Sequence, residues 1–280
     1  MISDFNCNRV YLSAKMATLC PITFKGLTEV LSKHNILWSV LEETKDIWCR
    51  DFMPIQIDTN SYASYRYHPD YLLKSAKYRK MITDGSVIGN SLGLNLVTDL
   101  EHIIIDGGNI VKCDDKIIMT GKIFEENPSY TVAQLSDKIE NTFNAELIII
   151  PWDTHEYFGH SDGVCRYIGN NQILITSYRD IDQRMTDRFV NCLKPHFNDI
   201  HELKFSGKSS KSINWAYINW LQTDRLLILP SFDIKEDAEA FEQISHYMNN
   251  YMIEMVDTRD LIIHEGGLNC CSWTTFEILK

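Results

Sequence analysis

Short apolar runs of strand character alternate along this chain with longer stretches whose apolar residues recur every three or four positions. Four such stretches read as amphipathic helices: residues 23–34 (TFKGLTEVLSKH), 129–143, 182–197 and 237–251. In the second, Val132, Leu135, Ile139 and Phe143 form one apolar stripe. After each helical stretch comes a single β-rich run, at residues 35–41, 145–151, 200–205 and 251–256, and a fifth such run covers 94–100. Pairs of runs separated by turn residues read as hairpins. They are 53–57 with 61–67 around Asp58-Thr59-Asn60, 108–113 with 116–124 around Asp114-Asp115, 163–168 with 172–178 around Gly169-Asn170-Asn171, and 217–222 with 225–232 around Thr223-Asp224. The last run, 274–280, is expected to pair with residues 9–16, and residues 71–94 read as a helix followed by a mobile loop.

A polar residue stands at the same place in each unit, between the single strand and the hairpin. These markers are Asp51, Asp106, Asp162, Asn219 and Asn269, spaced by 55, 56, 57 and 50 residues. A period of that size means that one supersecondary unit is repeated. Closure of five units around an axis would bring the five markers together at its centre. Because the units span nearly all of the 280 residues, a single domain over 1–280 is expected.

Composition narrows the function. The formal net charge is -11, with no Lys/Arg block, so nucleic acid is disfavoured as a partner and a cationic small molecule is compatible. No basic-then-apolar leader and no uncharged run of bilayer length are seen, so neither secretion nor a membrane is expected. The eight cysteines, 7, 20, 49, 113, 165, 192, 270 and 271, show no CxxC spacing and read as reduced thiols of a cytoplasmic protein.

Three groups of residues carry candidate chemistry. Cys270 and Cys271 follow Gly266-Gly267 at a marker position, and a cysteine there is a candidate nucleophile if a charged or acid/base group lies beside it. In His160-Ser161-Asp162, an extended backbone would place imidazole and carboxylate on one face. Asp51 in WCRDFMP and Asp106 in IIIDGGN are acids at the ends of apolar runs, where an ion pair or a cationic ligand would offset the cost of burial; for Asp51, the neighbouring Arg50 is one such partner. Neither zinc nor nucleotide signatures accompany these residues.

Together they resemble the guanidine-modifying pentein superfamily, and within it the agmatine deiminase and bacterial peptidylarginine deiminase family. The resemblance is carried by W-x-R-D-x-x-P (Trp48, Arg50, Asp51, Pro54), acid-G-G-N (Asp106 to Asn109), H-x-D (His160, Asp162), Y-x-N (Tyr217, Asn219) and a terminal G-G-x-x-x-C ending at Cys271. It implies an α/β fold, a five-bladed propeller of ββαβ units. The implied activity is cysteine-dependent hydrolysis of a guanidinium compound, foremost agmatine to N-carbamoylputrescine and ammonia, a step of putrescine biosynthesis, without metal or organic cofactor. It further implies Asp51 and Asp162 as bidentate guanidinium acceptors, Trp48 and Asn109 as further substrate contacts, His160 as general acid and base, and Asp106 as the group orienting it. Two positions depart from the family: Asp106 stands where Glu is common, and Cys270 where His commonly precedes the nucleophile.

By the family spacing, four residues from the second glycine to the cysteine, Cys271 is the expected nucleophile, and strand alternation would then turn Cys270 to the opposite face. Protein-arginine deimination, amidino transfer and a non-catalytic propeller, such as the ribosome anti-association factors of this architecture, are the other readings. A homo-oligomer is permitted.

Overall fold

The computed structural model describes residues 1–154, 157–206 and 214–278. Among the described residues, fifteen strands form five sheets of three. The first joins both ends of the chain, with β1 (Arg9–Ser13) between β2 (Leu37–Leu41) and β15 (Ser272–Thr275). The others are consecutive in sequence: β3 (Ile55–Gln56), β4 (Ser61–Arg66) and β5 (Asn95–Ile104); β6 (Val111–Cys113), β7 (Lys116–Thr120) and β8 (Glu146–Ile150); β9 (Cys165–Tyr167), β10 (Gln172–Ile175) and β11 (Asp199–Glu202); β12 (Leu221–Gln222), β13 (Leu226–Ser231) and β14 (Met252–Asp257). Every middle strand is antiparallel to its hairpin partner and parallel to the third strand. A parallel neighbour cannot be reached by a tight turn, so each middle strand is followed by a helical crossover. The result is a five-bladed α/β propeller, as the repeat implied.

The helices Pro21–Lys33, Val132–Phe143, Gln183–Leu193 and Lys235–Tyr247 carry four of the crossovers. The second starts at a capping box between Thr131 and Gln134 and ends at left-handed Asn144. Leu135, Ile139 and Phe143 are fully buried, each contributing about 1.5–3 kcal/mol of apolar transfer. Val132, expected in the same stripe, is 60% exposed and is the first residue of the helix.

The termini close the ring, with Arg9 opposite Thr275 and Leu12 opposite Ser272. The pairing begins two residues earlier than expected, and residues 279 and 280 of that run lie outside the described residues. Three other segments differ from the reading of the sequence. Residues 71–94 contain the end of a 3-10 turn (Asp70–Lys74) and two short helices, Ala76–Arg79 and Gly85–Ser91. Strand β7 stops at Thr120, and Lys122–Glu126 is helical. The run beginning at Tyr217 belongs first to a 3-10 turn, Asn214–Tyr217, and enters β12 only at Leu221. In the last two cases short apolar runs fit strand and buried helical turn equally well. No described helix is long and apolar enough to cross a membrane.

Candidate active site

A helical turn precedes the first strand of every hairpin. The turns are Cys49–Phe52, Gly107–Asn109, Ser161–Gly163 and Asn214–Tyr217, and the fifth is the hydrogen-bonded turn at 268–271, where the Cys271 amide reaches the Gly267 carbonyl (3.2 Å) and Ser272 the Asn269 carbonyl (3.2 Å). Within or beside each turn sits one of the five markers, and the five converge.

Asp51 Oδ1 accepts the Gly108 amide (3.0 Å) and lies 3.8 Å from His160 Nδ1. Asp106 Oδ2 is 2.9 Å from His160 Nε2, while Asp106 Oδ1 is buried with no hydrogen-bond partner. Asp162 Oδ2 accepts from Asn269 Nδ2 (2.8 Å), and the Asp162 carbonyl accepts from Asn219 Nδ2 (3.4 Å). Asn219 Oδ1 accepts the amides of Asn269 (3.0 Å) and Cys270 (3.2 Å). The Cys270 thiol donates to that same oxygen (3.3 Å), and its sulfur is 3.9 Å from Asp162 Oδ2. Two hydrogen-bonded groups therefore meet here, Asp106 with His160 and Asp162 with Asn219, Asn269 and Cys270, and Asp51 lies close enough to feel the charges of both.

Glycines make this approach possible. A methyl group on Gly108 would stand 2.6 Å from His160 Nδ1 and 2.7 Å from Asp51 Oδ1. One on Gly266 would meet the Trp48 ring at 2.1 Å, so the indole closes directly on the loop that leads to Cys270.

The site is rich in negative charge. Burial, reinforced by Asp106 and Asp162, pushes the Asp51 carboxyl up to about 7. Burial works against a charged His160, but Asp51, Asp106 and Asp162 outweigh it and hold the imidazole up at about 9. Burial also raises the Cys270 thiol well above its ordinary range, and Asp162 and Asp51 add to this. A planar cation entering here would offset the repulsion between acids, meet carboxylates able to accept paired N–H donors, and favour the thiolate.

Asp51, Asp106, His160 and Asp162 thus meet as the sequence reading required. Arg50 is no partner of Asp51 in an ion pair: it turns to the Asn269 carbonyl (3.4 Å) and Thr274 Oγ1 (3.1 Å). The expected orientation of the cysteines is corrected. Cys271 is fully buried among Leu27, Leu31, Leu226, Ile228 and Leu268, with its thiol on the Leu268 carbonyl (3.4 Å), and Cys270 is the one that faces the acids. Strand alternation failed because 268–271 is a helical turn and the strand starts only at Ser272. The Asn109 side chain, expected to contact substrate, is buried and holds main chain of two units. Its Oδ1 is taken by the amides of Thr120 (2.8 Å) and Ser161 (3.2 Å), so it ties the second and third units together.

Asn269, which the sequence offered only as a marker of the repeat, holds Asp162. Several site residues escaped the sequence reading. Tyr71 and Phe158 stack around the imidazole, with ring centroids 6.3 and 5.9 Å from that of His160. Lys122 is 1% exposed, with its Nζ 3.8 Å from Asp106 Oδ2. A lone lysine inside the apolar run IIMTGKIF was the available signal for it.

A five-bladed ring with a cysteine, a charged histidine and three carboxylates at its centre defines a guanidine-modifying propeller enzyme. The family model of the Porphyromonas-type peptidyl-arginine deiminases matches residues 12–275, and the chain belongs to that family. It is accordingly an amidine hydrolase that deiminates guanidines. Among solved structures, it is similar to an agmatine deiminase of C. jejuni, at 18% identity and TM-score 0.77 over 100% of this chain and 96% of that one. An agmatine deiminase of Enterococcus faecalis matches at 15% identity and TM-score 0.77 over 100% and 96%. DDAH from Pseudomonas aeruginosa, in complex with citrulline, matches at 14% identity and TM-score 0.61 over 96% and 99%. Among curated proteins none matches.

Proposed function

We propose that this protein hydrolyses the guanidinium group of a small free substrate, with agmatine first, through Cys270 as nucleophile. The observation that carries this is the Cys270 sulfur placed 3.9 Å from Asp162, whose charge, with that of Asp51, also acts on the His160 imidazole held by Asp106. Asp51 and Asp162 accept the substrate's N–H donors, and the positive charge draws the thiol toward thiolate. The sulfur adds to the guanidinium carbon. His160 gives its proton to one terminal nitrogen, which leaves as ammonia, and a cationic S-alkylthiouronium remains on Cys270. Water then adds to that carbon while His160 takes one of its protons. The C–S bond breaks, returning the thiolate, and the remaining hydroxyl proton passes to solvent, where the released ammonia takes up a proton, as the ureido product forms. Asp106 keeps the imidazole oriented throughout.

Tyr71 and Phe158 supply an apolar collar beside the imidazole that suits an unbranched alkyl tail, and the acidity of the chain suits a dication, which favours agmatine. N-carbamoylputrescine and ammonia are then the products. All eight cysteines are free, in keeping with a reducing, cytoplasmic compartment. The test is ammonia release over agmatine, arginine, methylated arginines and arginyl peptides. Turnover of agmatine above the others supports the reading. Turnover of peptides alone, the substrate class in the family's description, moves it to protein-arginine deimination, and no ammonia from any of them overturns it.

A further inference from the structure

We propose that Lys122 is a positioning residue that joins the acid–base histidine to the segment bearing Asp70 and Tyr71 and, with Glu126, sets the charge that His160 feels. The proposal rests on the deimination reading for its meaning but not for its test. Lys122 lies just beyond β7, and its Nζ donates to the Phe158 carbonyl (2.8 Å), two residues before His160. The same ammonium is 3.2 Å from Asp70 Oδ1, 3.4 Å from Glu126 Oε1 and 3.8 Å from Asp106 Oδ2. It also sits 4.8 Å from the centre of the Tyr71 ring, which packs edge-on against Phe158. One cation therefore ties together the segment at 70–71, the segment at 158–160 and the carboxylate bonded to the imidazole.

The charge balance explains why a buried lysine belongs there. The Lys122 and Glu126 side chains are 2% and 8% exposed, and three acids surround one ammonium. Burial opposes the charge on Lys122, yet Asp106, Glu126 and Asp70 hold its pKa above the ordinary value. Glu126 is pushed up to about 7 by burial and by Asp106, against the pull of Lys122. The groups facing His160 are Asp51, Asp106 and Asp162, with Glu126 further off. Without Lys122, Asp106 would face His160 with no cation to balance it. Without Glu126, His160 would lose an anion that helps to hold its proton.

The experiment is an NMR titration of the His160 ring in the substrate-free full chain, with folding checked by thermal melts. The proteins are the parent, Glu126→Gln, Lys122→Met and the double variant. Glu126→Gln is expected to lower the His160 midpoint by at least about half a pH unit, and Lys122→Met to raise it. The double variant is expected to return toward the parent. In deimination assays, Lys122→Met should lose at least about tenfold in kcat, with the second substitution restoring part of it. An unmoved midpoint in Glu126→Gln overturns the charge relation, and that variant decides alone if Lys122→Met does not fold. A double variant no closer to the parent than Lys122→Met would assign Lys122 to packing only. Because the titration needs no turnover, failure of the deimination reading would show separately, as an inactive parent protein.

Discussion

Two adjacent cysteines differ in everything except their side chain. Cys270 stands among acids and amides, whereas Cys271 stands among leucines and isoleucines. Cys270→Ala is expected to abolish turnover. Cys271→Ser is expected to keep the activity of the folded fraction while losing about 1–2 kcal/mol of stability, because a hydroxyl replaces a thiol in an apolar setting with one carbonyl within reach. Activity assays and denaturant melts of both variants check this. Mass spectrometry after treatment with a haloacetamidine should place the label on Cys270. Neutral iodoacetamide should react slowly, since burial and two acids keep that thiol protonated. The same electrostatics makes binding pH-dependent. Asp51 titrates at about 7 in the empty site and must ionise to accept a guanidinium. Calorimetry with the Cys270→Ala protein and agmatine should therefore show tighter binding as pH rises through about 7, with proton release at the lower end. Affinity independent of pH would remove Asp51 from the binding role.

At the scale of elements, the important unit is the helical turn ahead of each hairpin. Such a turn is three or four residues long and has no apolar period to reveal it, so the sequence reading treated each as extended backbone. For His160 and Asp162 the error had no consequence, because both side chains still face the axis from the turn Ser161–Gly163 and its cap. For Cys270 and Cys271 it reversed the assignment. The fourth turn presents Asn219, whose carbonyl oxygen accepts two successive amides of the fifth turn and the Cys270 thiol. Asn219→Ala would leave the Cys270 amide buried without its partner, costing about 1–3 kcal/mol, while the Asn269 amide keeps the Asn219 main-chain carbonyl (3.0 Å). The expected outcome is a clear fall in melting temperature together with a loss of kcat of at least about tenfold, as the turn bearing Cys270 loosens. A variant with the parent's kcat would show that the turn holds itself.

On the scale of the whole molecule, the centre of the ring is a stack of charges. Beside the acids lies a small cavity lined in part by Asp4, Arg50, Lys112, Arg166 and Asn269. Asp4 reaches Lys112 at 2.6 Å and Arg166 at 3.0 Å, and against the cost of burial these two cations hold its carboxyl far below the usual range. Asp4→Ala would strand two buried cations, so a loss of about 3 kcal/mol or more is expected in denaturant melts. The active-site groups make stability fall on the alkaline side. Asp51 binds its proton more tightly folded than unfolded, so its contribution fades as pH rises from its ordinary value through about 7. His160 also has a raised pKa, so its contribution is complete below about 6.5 and is lost as pH rises through about 9. The melting temperature should decline from about pH 6 to about pH 10, and Asp51→Asn should flatten the lower part of that decline. A parent protein whose melting temperature rises over this range would contradict the assignment of these charges.

The period of five markers and the alternation of helical and β-rich stretches were legible in the chain, because propeller units repeat their hydrophobic pattern locally. Asp51, Asp106, His160 and Asp162 were legible for a related reason: acids and a histidine at the ends of apolar runs are costly unless something pairs with them. Which cysteine faces the axis, that Asn109 bridges two units, and that Lys122 stands behind Asp106 were decided only by the tertiary structure. Each depends on the direction of a side chain leaving a short turn. For Cys270 and Asn109 that direction is set by contacts with residues about 50 positions away, and for Lys122 by Asp106 and Phe158, distant enough in the chain that no local pattern records them.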